Sequence, residues 1–304
     1  MGKGKALAAL LLTVFIWGST FVATKDALQA LPPATLALWR FGFAALVLSP
    51  LFYMRRKRSA ALPVPTAALM GFTGVFLFFA LQNWALLHCR AGTASLILAA
   101  VPAFTAIASF YFLGERVGGV RVAGIVLTML GVAALVWSEN GTLLEGSLNI
   151  GALLLIGSAM AWAVYTVLGR KFSDTVDPVV VTFQGTLWGI LYLLPFALLE
   201  RQPDYLHLGW EPWAVILYLG VVASALPIVL WNYALRSFEA SEAGLYLNLI
   251  PIMAIILAAL LLGERLRPVE IAAGLTVLIG VILAERQKTK SGGSSMVVEE
   301  RAAR

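Results

Sequence analysis

Leu113-Gly114-Glu115-Arg116 returns 149 positions later as Leu262-Gly263-Glu264-Arg265, and this echo is one of a series. At the same offset Asn83-Trp84-Ala85-Leu86 meets Asn232-Tyr233-Ala234-Leu235, Pro102 meets Pro251, and Gly131-Val132 meets Gly280-Val281. Between residues 83 and 134 there are 17 identities in 52 positions, far above chance even in so apolar a chain. The sequence reads as a duplication, with a first repeat over 1–140, a second over 146–286 and a flexible tail over 287–304.

Composition sets the solvent. With 60% hydrophobic and 12% charged residues and a mean hydropathy of +0.88, the 304-residue chain cannot cover a soluble surface. A hydrocarbon core about 30 Å thick needs roughly 20 apolar residues per helix. Reading between charged and turn-forming clusters predicts ten spans, at 6–24, 33–54, 65–87, 92–113, 119–138, 148–169, 178–199, 213–235, 243–262 and 269–285. Their short connections leave no room for a soluble domain, so the expected fold is an all-α integral membrane bundle. Lys3 and Lys5 before the first apolar run imitate a signal peptide, but the run of about 19 residues is long for one. Phe21-Val22-Ala23-Thr24-Lys25 is also a poor cleavage site, so the first span is expected to be retained. Cys89, the single cysteine, excludes an intrachain disulfide, and no cluster of metal ligands accompanies it. No cofactor is expected.

Lysines and arginines on alternate connections orient the bundle. Sixteen fall on the side of the N-terminus, the 55–58 loop and the tail; five fall opposite, and Arg40 lies within a span. The positive-inside bias places both termini in the cytoplasm of a cell inner membrane. The +6 charge then reflects topology, and no aromatic-basic pattern calls for nucleic acid. Five spans per repeat make the second copy enter the membrane upside down. Such inverted five-helix repeats are expected to enclose a central cavity and to exchange two nearly equivalent conformations, one open to each face.

Trp17-Gly18-Ser19-Thr20-Phe21, Arg40-Phe41, Pro102 with Leu113-Gly114-Glu115-Arg116, and Ala161-Trp162-Ala163-Val164-Tyr165 resemble the EamA branch of the drug/metabolite transporter superfamily. The resemblance covers about residues 6–285, and within the branch the chain looks most like YddG-type exporters of aromatic and other neutral amino acids. It implies ten helices in two inverted repeats, a central cavity formed mainly by helices 1, 3, 4, 6, 8 and 9, and export of small metabolites.

Pro102 and Pro251 fall mid-span in the fourth and ninth helices, where each removes a backbone donor. A symmetric pair of kinks is expected, serving as static bends or as hinges. Glycines at 71, 74, 157, 189, 220, 274 and 280 suit close helix approach. Amides and rings inside spans must face protein or a wet cavity, because lipid leaves them unpaired. Candidate solute contacts on that ground are Trp17, Phe78, Phe79, Gln82, Asn83, Ser95, Trp162, Tyr165, Trp231, Asn232, Tyr246 and Asn248. Trp231 also fits an interfacial aromatic belt, and Asn83 and Asn232 also fit helix–helix hydrogen bonding. Tyr246 and Asn248 have Ile97 and Ala99 as their counterparts in the other repeat, an asymmetry that favours a solute contact.

Arg40 lies about 10 Å inside its helix, and its counterpart is Gly185 when Pro50 and Pro195 set the register. It reads either as an anchor for a substrate carboxylate or as a residue bonded to carbonyls or snorkelling. No Asp or Glu lies securely inside a span, and the first-helix glutamate of the small multidrug carriers is missing. Facilitated diffusion or exchange is therefore expected rather than a buried proton relay. No phosphate-cradling loop invites ATP, and no nucleophile-base or metal set makes an enzyme. An amino-acid or metabolite exporter, a broad drug or nucleotide-derivative carrier, and a nontransporting scaffold remain, in that order. The implied partners are a small-molecule solute and the bilayer. A monomer satisfies the reading, which does not determine the oligomeric state.

Overall fold

A computed structural model describes residues 3–114, 118–139, 150–172, 175–205, 208–224, 226–227, 230 and 246–286; Trp231, Asn232 and the tail lie outside these. Among the described residues all regular structure is helical. The chain runs through α1 (Lys3–Ala27), α2 (Pro33–Arg56) and α3 (Val64–Met70), which continues through a π-helical stretch (Gly71–Leu77) into α4 (Phe78–Leu86). Next come α5 (Ala91–Leu98), α6 (Val101–Leu113), α7 (Gly119–Glu139), α8 (Ile150–Lys171) and α9 (Pro178–Leu199). α10 (Trp210–Leu217) passes into a second π-helical stretch (Tyr218–Val222), and α11 (Ile250–Leu261) and α12 (Pro268–Arg286) follow. Seven helical segments are long and apolar enough to cross a bilayer, and three shorter apolar ones (Trp210–Val222, Ile250–Leu261, Pro268–Ala284) overlap the last three expected spans.

Local chemistry sets the boundaries. Prolines open α2, α9 and α12 in their first turns, where no intrahelical N–H is needed. Gly114 and Gly263 are the only positive-φ residues described, at 65° and 66°, and each follows a helix of its repeat. After α11 the Glu264 N–H reaches back to the Ala258 carbonyl at 3.1 Å, the six-residue closure that a left-handed glycine permits.

The expected proline kinks are more than bends. α5 stops at Leu98 and α6 starts at Val101, with Pro102 second; α11 starts at Ile250 with Pro251 second, after a turn at Asn248–Leu249. Proline offers no donor to the carbonyl one turn back, so the ladder restarts: Ala103 and Phe104 N–H both turn to the Ala100 carbonyl. Discontinuous helices at corresponding places are the result.

Packing follows the small residues. α7 crosses α12, α2 runs against α9, and α1 on α11 is matched by α8 on α6. Gly71 and Gly220, 149 apart, make related close approaches. A Cβ on Gly71 would stand 2.5 Å from the Gly185 carbonyl oxygen and from Trp188 Cβ; one on Gly220 would stand 2.7 Å from the Arg40 carbonyl oxygen and from Phe43 Cβ. The partner pairs are themselves 145 apart, so the register read from Pro50 and Pro195 is the one the helices use. The outer face is apolar: Leu46, Leu198, Leu199, Leu260 and Leu261 are all exposed, as a hydrocarbon solvent requires.

Polar ties gather one set of helix ends, here called the Lys25 end. Glu200 accepts from the Ala34 and Thr35 N–H groups and the Thr35 hydroxyl, so its position after α9 caps α2 and makes the two helices antiparallel. Asn83 Nδ2 donates to the Pro33 carbonyl at 2.9 Å. Glu270, fully buried, receives Arg90 and Arg267, and Arg267 also reaches the Ser138 carbonyl at the end of α7. At the opposite end Arg55 pairs with Asp177 at 3.6 Å, and Asp177 caps α9 through the Val179 N–H.

Candidate functional site

α2, α4 and α8 bring five rings into one file. Phe41, Phe79, Phe78, Trp162 and Tyr165 follow one another at centroid separations of 4.6–4.9 Å. The file descends from about 12 Å inside the Lys25 end, where α2 starts, to about 9 Å from the end of α8, at 1.5 Å per residue. Ser158, Trp162 and Tyr165 share a face of α8 by their spacing, and Ser158 Oγ donates to the Phe78 carbonyl at 2.9 Å, holding α8 on α4. Tyr165 lies on the bare backbone of Gly74, where a Cβ would meet its ring at 2.3–2.8 Å. Phe78, Phe79, Trp162 and Tyr165 remain only half-buried. They are rings with faces to offer.

Arg40 closes the Lys25 end of the file. Its guanidinium carbon stands 4.6 Å from the Phe79 centroid and 5.8 Å from that of Phe41, and the residue is 7% exposed. Its Nε has no hydrogen-bond partner, and among the described residues no carboxylate pairs with it. Aromatic faces return about 0.5–2 kcal/mol to a buried cation, less than the roughly 2.5–3.5 kcal/mol that an arginine costs at mid-membrane depth. The charge lacks a full complement.

The other candidates divide. Gln82 is buried with its Oε1 unpartnered, and Asn248, half-buried at the interruption before α11, has an unpartnered Nδ2. Tyr246 lies in the turn of chain leading to that interruption. Trp17 is half-buried on α1, and its carbonyl accepts from Thr20 Oγ1. Asn83 stands apart from the file, committed to the Pro33 carbonyl, and buried Ser95 donates to the Gly92 carbonyl of its own helix. Ser19 and Tyr218 escaped the residue-by-residue reading. Their hydroxyls hydrogen-bond across α1 and the second π-helical stretch. Their counterparts are Val164 and Leu69, so the asymmetry that marked Tyr246 and Asn248 marks them as well.

At the Lys25 end a carboxylate locks three elements. Lys25 Nζ donates to Glu264 at 2.8 Å and to the Cys89 carbonyl at 2.7 Å, while Glu264 accepts from the Ala91 and Gly92 N–H groups at 3.0 and 3.2 Å. Partial burial alone would raise the Glu264 pKa, but Lys25 and the two N–H groups at the α5 start outweigh it and hold the carboxyl below its usual range.

Known proteins place this architecture. The EamA-like transporter family matches residues 4–137 and 149–285. A probable terminal-alkyne amino-acid exporter of Streptantibioticus cattleyicolor is 30% identical over 94% of this chain and 95% of its own length. A probable amino-acid metabolite efflux pump of Escherichia coli is 29% identical over 90% and 92%. An uncharacterized transporter of Archaeoglobus fulgidus is 29% identical over 92% and 97%. A protein of known crystal structure, 20% identical, superposes with a TM-score of 0.63 over 93% of this chain and 97% of its own, which shows a shared fold.

Proposed function

The chain belongs to the EamA-like transporter family, and from that premise we propose that it exports small amphipathic metabolites, foremost aromatic and other neutral amino acids, across the inner membrane. The observation that carries this reading is the file of five rings between two helix ends, four of them half-buried, with Arg40 at its head. Stacked aromatic faces with a few polar groups suit a solute with an apolar body and a polar head. The names of the Streptantibioticus and Escherichia relatives support the amino-acid class.

The mechanism is alternating access by ten helices in two inverted repeats. Support comes from the matched approaches of Gly71 and Gly220, the interruptions at Pro102 and Pro251, and the paired contacts of α1 with α11 and α8 with α6. Pro102 and Pro251 act as hinges, since each frees carbonyls that can exchange partners as the half-helices tilt. With the termini cytoplasmic, Lys25 and Glu264 seal the outer mouth. Positions 170 and 115 carry an arginine and a glutamate at the corresponding places of the other face. No carboxylate in the spans offers a proton relay, so the cycle runs down the gradient of the solute itself or by exchange.

The test is flux of labelled phenylalanine, threonine and lysine in liposomes holding the purified protein, with and without a pH gradient. Saturable movement of the two neutral amino acids, not of lysine, at equal pH is expected. Movement that collapses without a pH gradient refutes the facilitated cycle, and no movement of any of the three refutes the amino-acid reading.

A further inference from the structure

Resting on the exporter reading, we propose that Arg40, Tyr218 and Ser19 form a carboxylate subsite at the head of the ring file. The cargo is then a monocarboxylate with an apolar or aromatic body, and amines lacking a carboxylate are refused.

Three observations converge on this subsite. Arg40 is 7% exposed, its Nε–H is unpartnered, and its guanidinium carbon stands over the Phe79 ring, 4.6 Å from the centroid. A guanidinium held by a ring rather than by an acceptor has N–H donors to offer an oxyanion, and two parallel N–H groups fit a carboxylate. Gly220 lies so close to the Arg40 carbonyl that a Cβ would approach it to 2.7 Å, which sets the second π-helical stretch, and Tyr218 with it, beside Arg40. The Tyr218 and Ser19 hydroxyls hydrogen-bond to each other, and Ser19 Oγ also donates to the Ile16 carbonyl; turning the Ser19 proton from Ile16 to the Tyr218 oxygen releases the Tyr218 O–H to donate to an anion. The counterparts of Arg40, Ser19 and Tyr218 in the opposite repeats are Gly185, Val164 and Leu69. The scaffold is doubled, but the subsite is single, so the cargo takes one orientation: carboxylate towards the Lys25 end and body along the rings.

Three probes separate the subsite from the exporter reading: labelled phenylalanine, 3-phenylpropionate, which lacks the amine, and phenethylamine, which lacks the carboxylate. In liposomes holding the full chain, phenylalanine is expected to move saturably, 3-phenylpropionate to compete with it, and phenethylamine neither to move nor to compete. Arg40→Gln is expected to raise the KM for phenylalanine about 10- to 100-fold with Vmax little changed, the loss of a charge-assisted contact. Arg40→Lys, which keeps the charge without the fork, recovers part of the affinity, and Tyr218→Phe raises KM up to about tenfold. If Arg40→Gln fails to elute as wild type on gel filtration, Arg40→Lys and Tyr218→Phe carry the same test. Competition by phenethylamine as strong as by 3-phenylpropionate, or unchanged KM in these variants, overturns the subsite and leaves the exporter standing. A wild type that moves none of the probes overturns both.

Discussion

Replacing Glu264 by glutamine removes one negative charge from a carboxylate that serves three donors: the Lys25 ammonium at 2.8 Å and the Ala91 and Gly92 N–H groups at 3.0 and 3.2 Å. The glutamine oxygen can still accept from the start of α5, so the loss is the charge assistance. A hydrogen bond to a charged group contributes about 1.5–3 kcal/mol and a carboxylate at a helix start about 0.3–1 kcal/mol. Lys25 is 28% exposed and rehydrates when its partner goes, which argues for the lower part of that range. An overall loss of about 2 kcal/mol corresponds to a fall of roughly 4–8 °C in melting temperature for a chain of this size. Tryptophan fluorescence of the detergent-purified protein during heating measures it. Because the folded carboxyl is held below its usual pKa, the stabilisation is complete above the unfolded value of about 4.3 and disappears as pH falls through the lower folded value. Wild type and Glu264→Gln should therefore differ fully at pH 7 and converge in acid. Equal melting temperatures at pH 7, or a difference that grows in acid, would refute the assignment of the tie.

Three further outcomes test the packing and the motion. On a Cys89→Ala background, cysteines at 25 and 264 joined by a short bifunctional thiol reagent should abolish phenylalanine flux, with recovery on cleavage of the link; undiminished flux in linked protein would make the tie a static strut. Gly71→Val and Gly220→Val should each cost about 1–3 kcal/mol, since their Cβ atoms would sit 2.5 and 2.7 Å from carbonyl oxygens that the backbone cannot withdraw. Gly42→Ala, with nothing within 4 Å of its Cβ, should be neutral or stabilising in the same melt.

Hydropathy and repetition reach far because they report on single helices. The length of an apolar run decides whether it spans a bilayer, so α1 to α9 fall where the runs predict to within a few residues. The echo of Leu113-Gly114-Glu115-Arg116 at 262–265 signals two left-handed glycines, because only glycine adopts that conformation without strain. Pro102 and Pro251 announce a disturbed backbone in the same way, although only the structure turns the expected kinks into interruptions.

Which side chains meet is another matter, because it depends on the rotational phase of each helix, and two departures from the 3.6-residue period reset that phase. The stretches at Gly71–Leu77 and Tyr218–Val222 are π-helical, and wider turns swing the residues beyond them to new faces. Periodicity therefore could not say that Phe78 and Phe79 join the ring file while Asn83, one turn later, ties α4 to Pro33. Nor could it say that Glu264, 239 positions along the chain from Lys25, is that residue's partner. The sequence by itself carried the bilayer, the internal echo and the places where the backbone is disturbed, since these follow from transfer energies and backbone sterics within each segment. Only tertiary packing put Arg40 over Phe79 with no counter-ion among the described residues, because that arrangement depends on how α2, α4 and the second π-helical stretch approach one another.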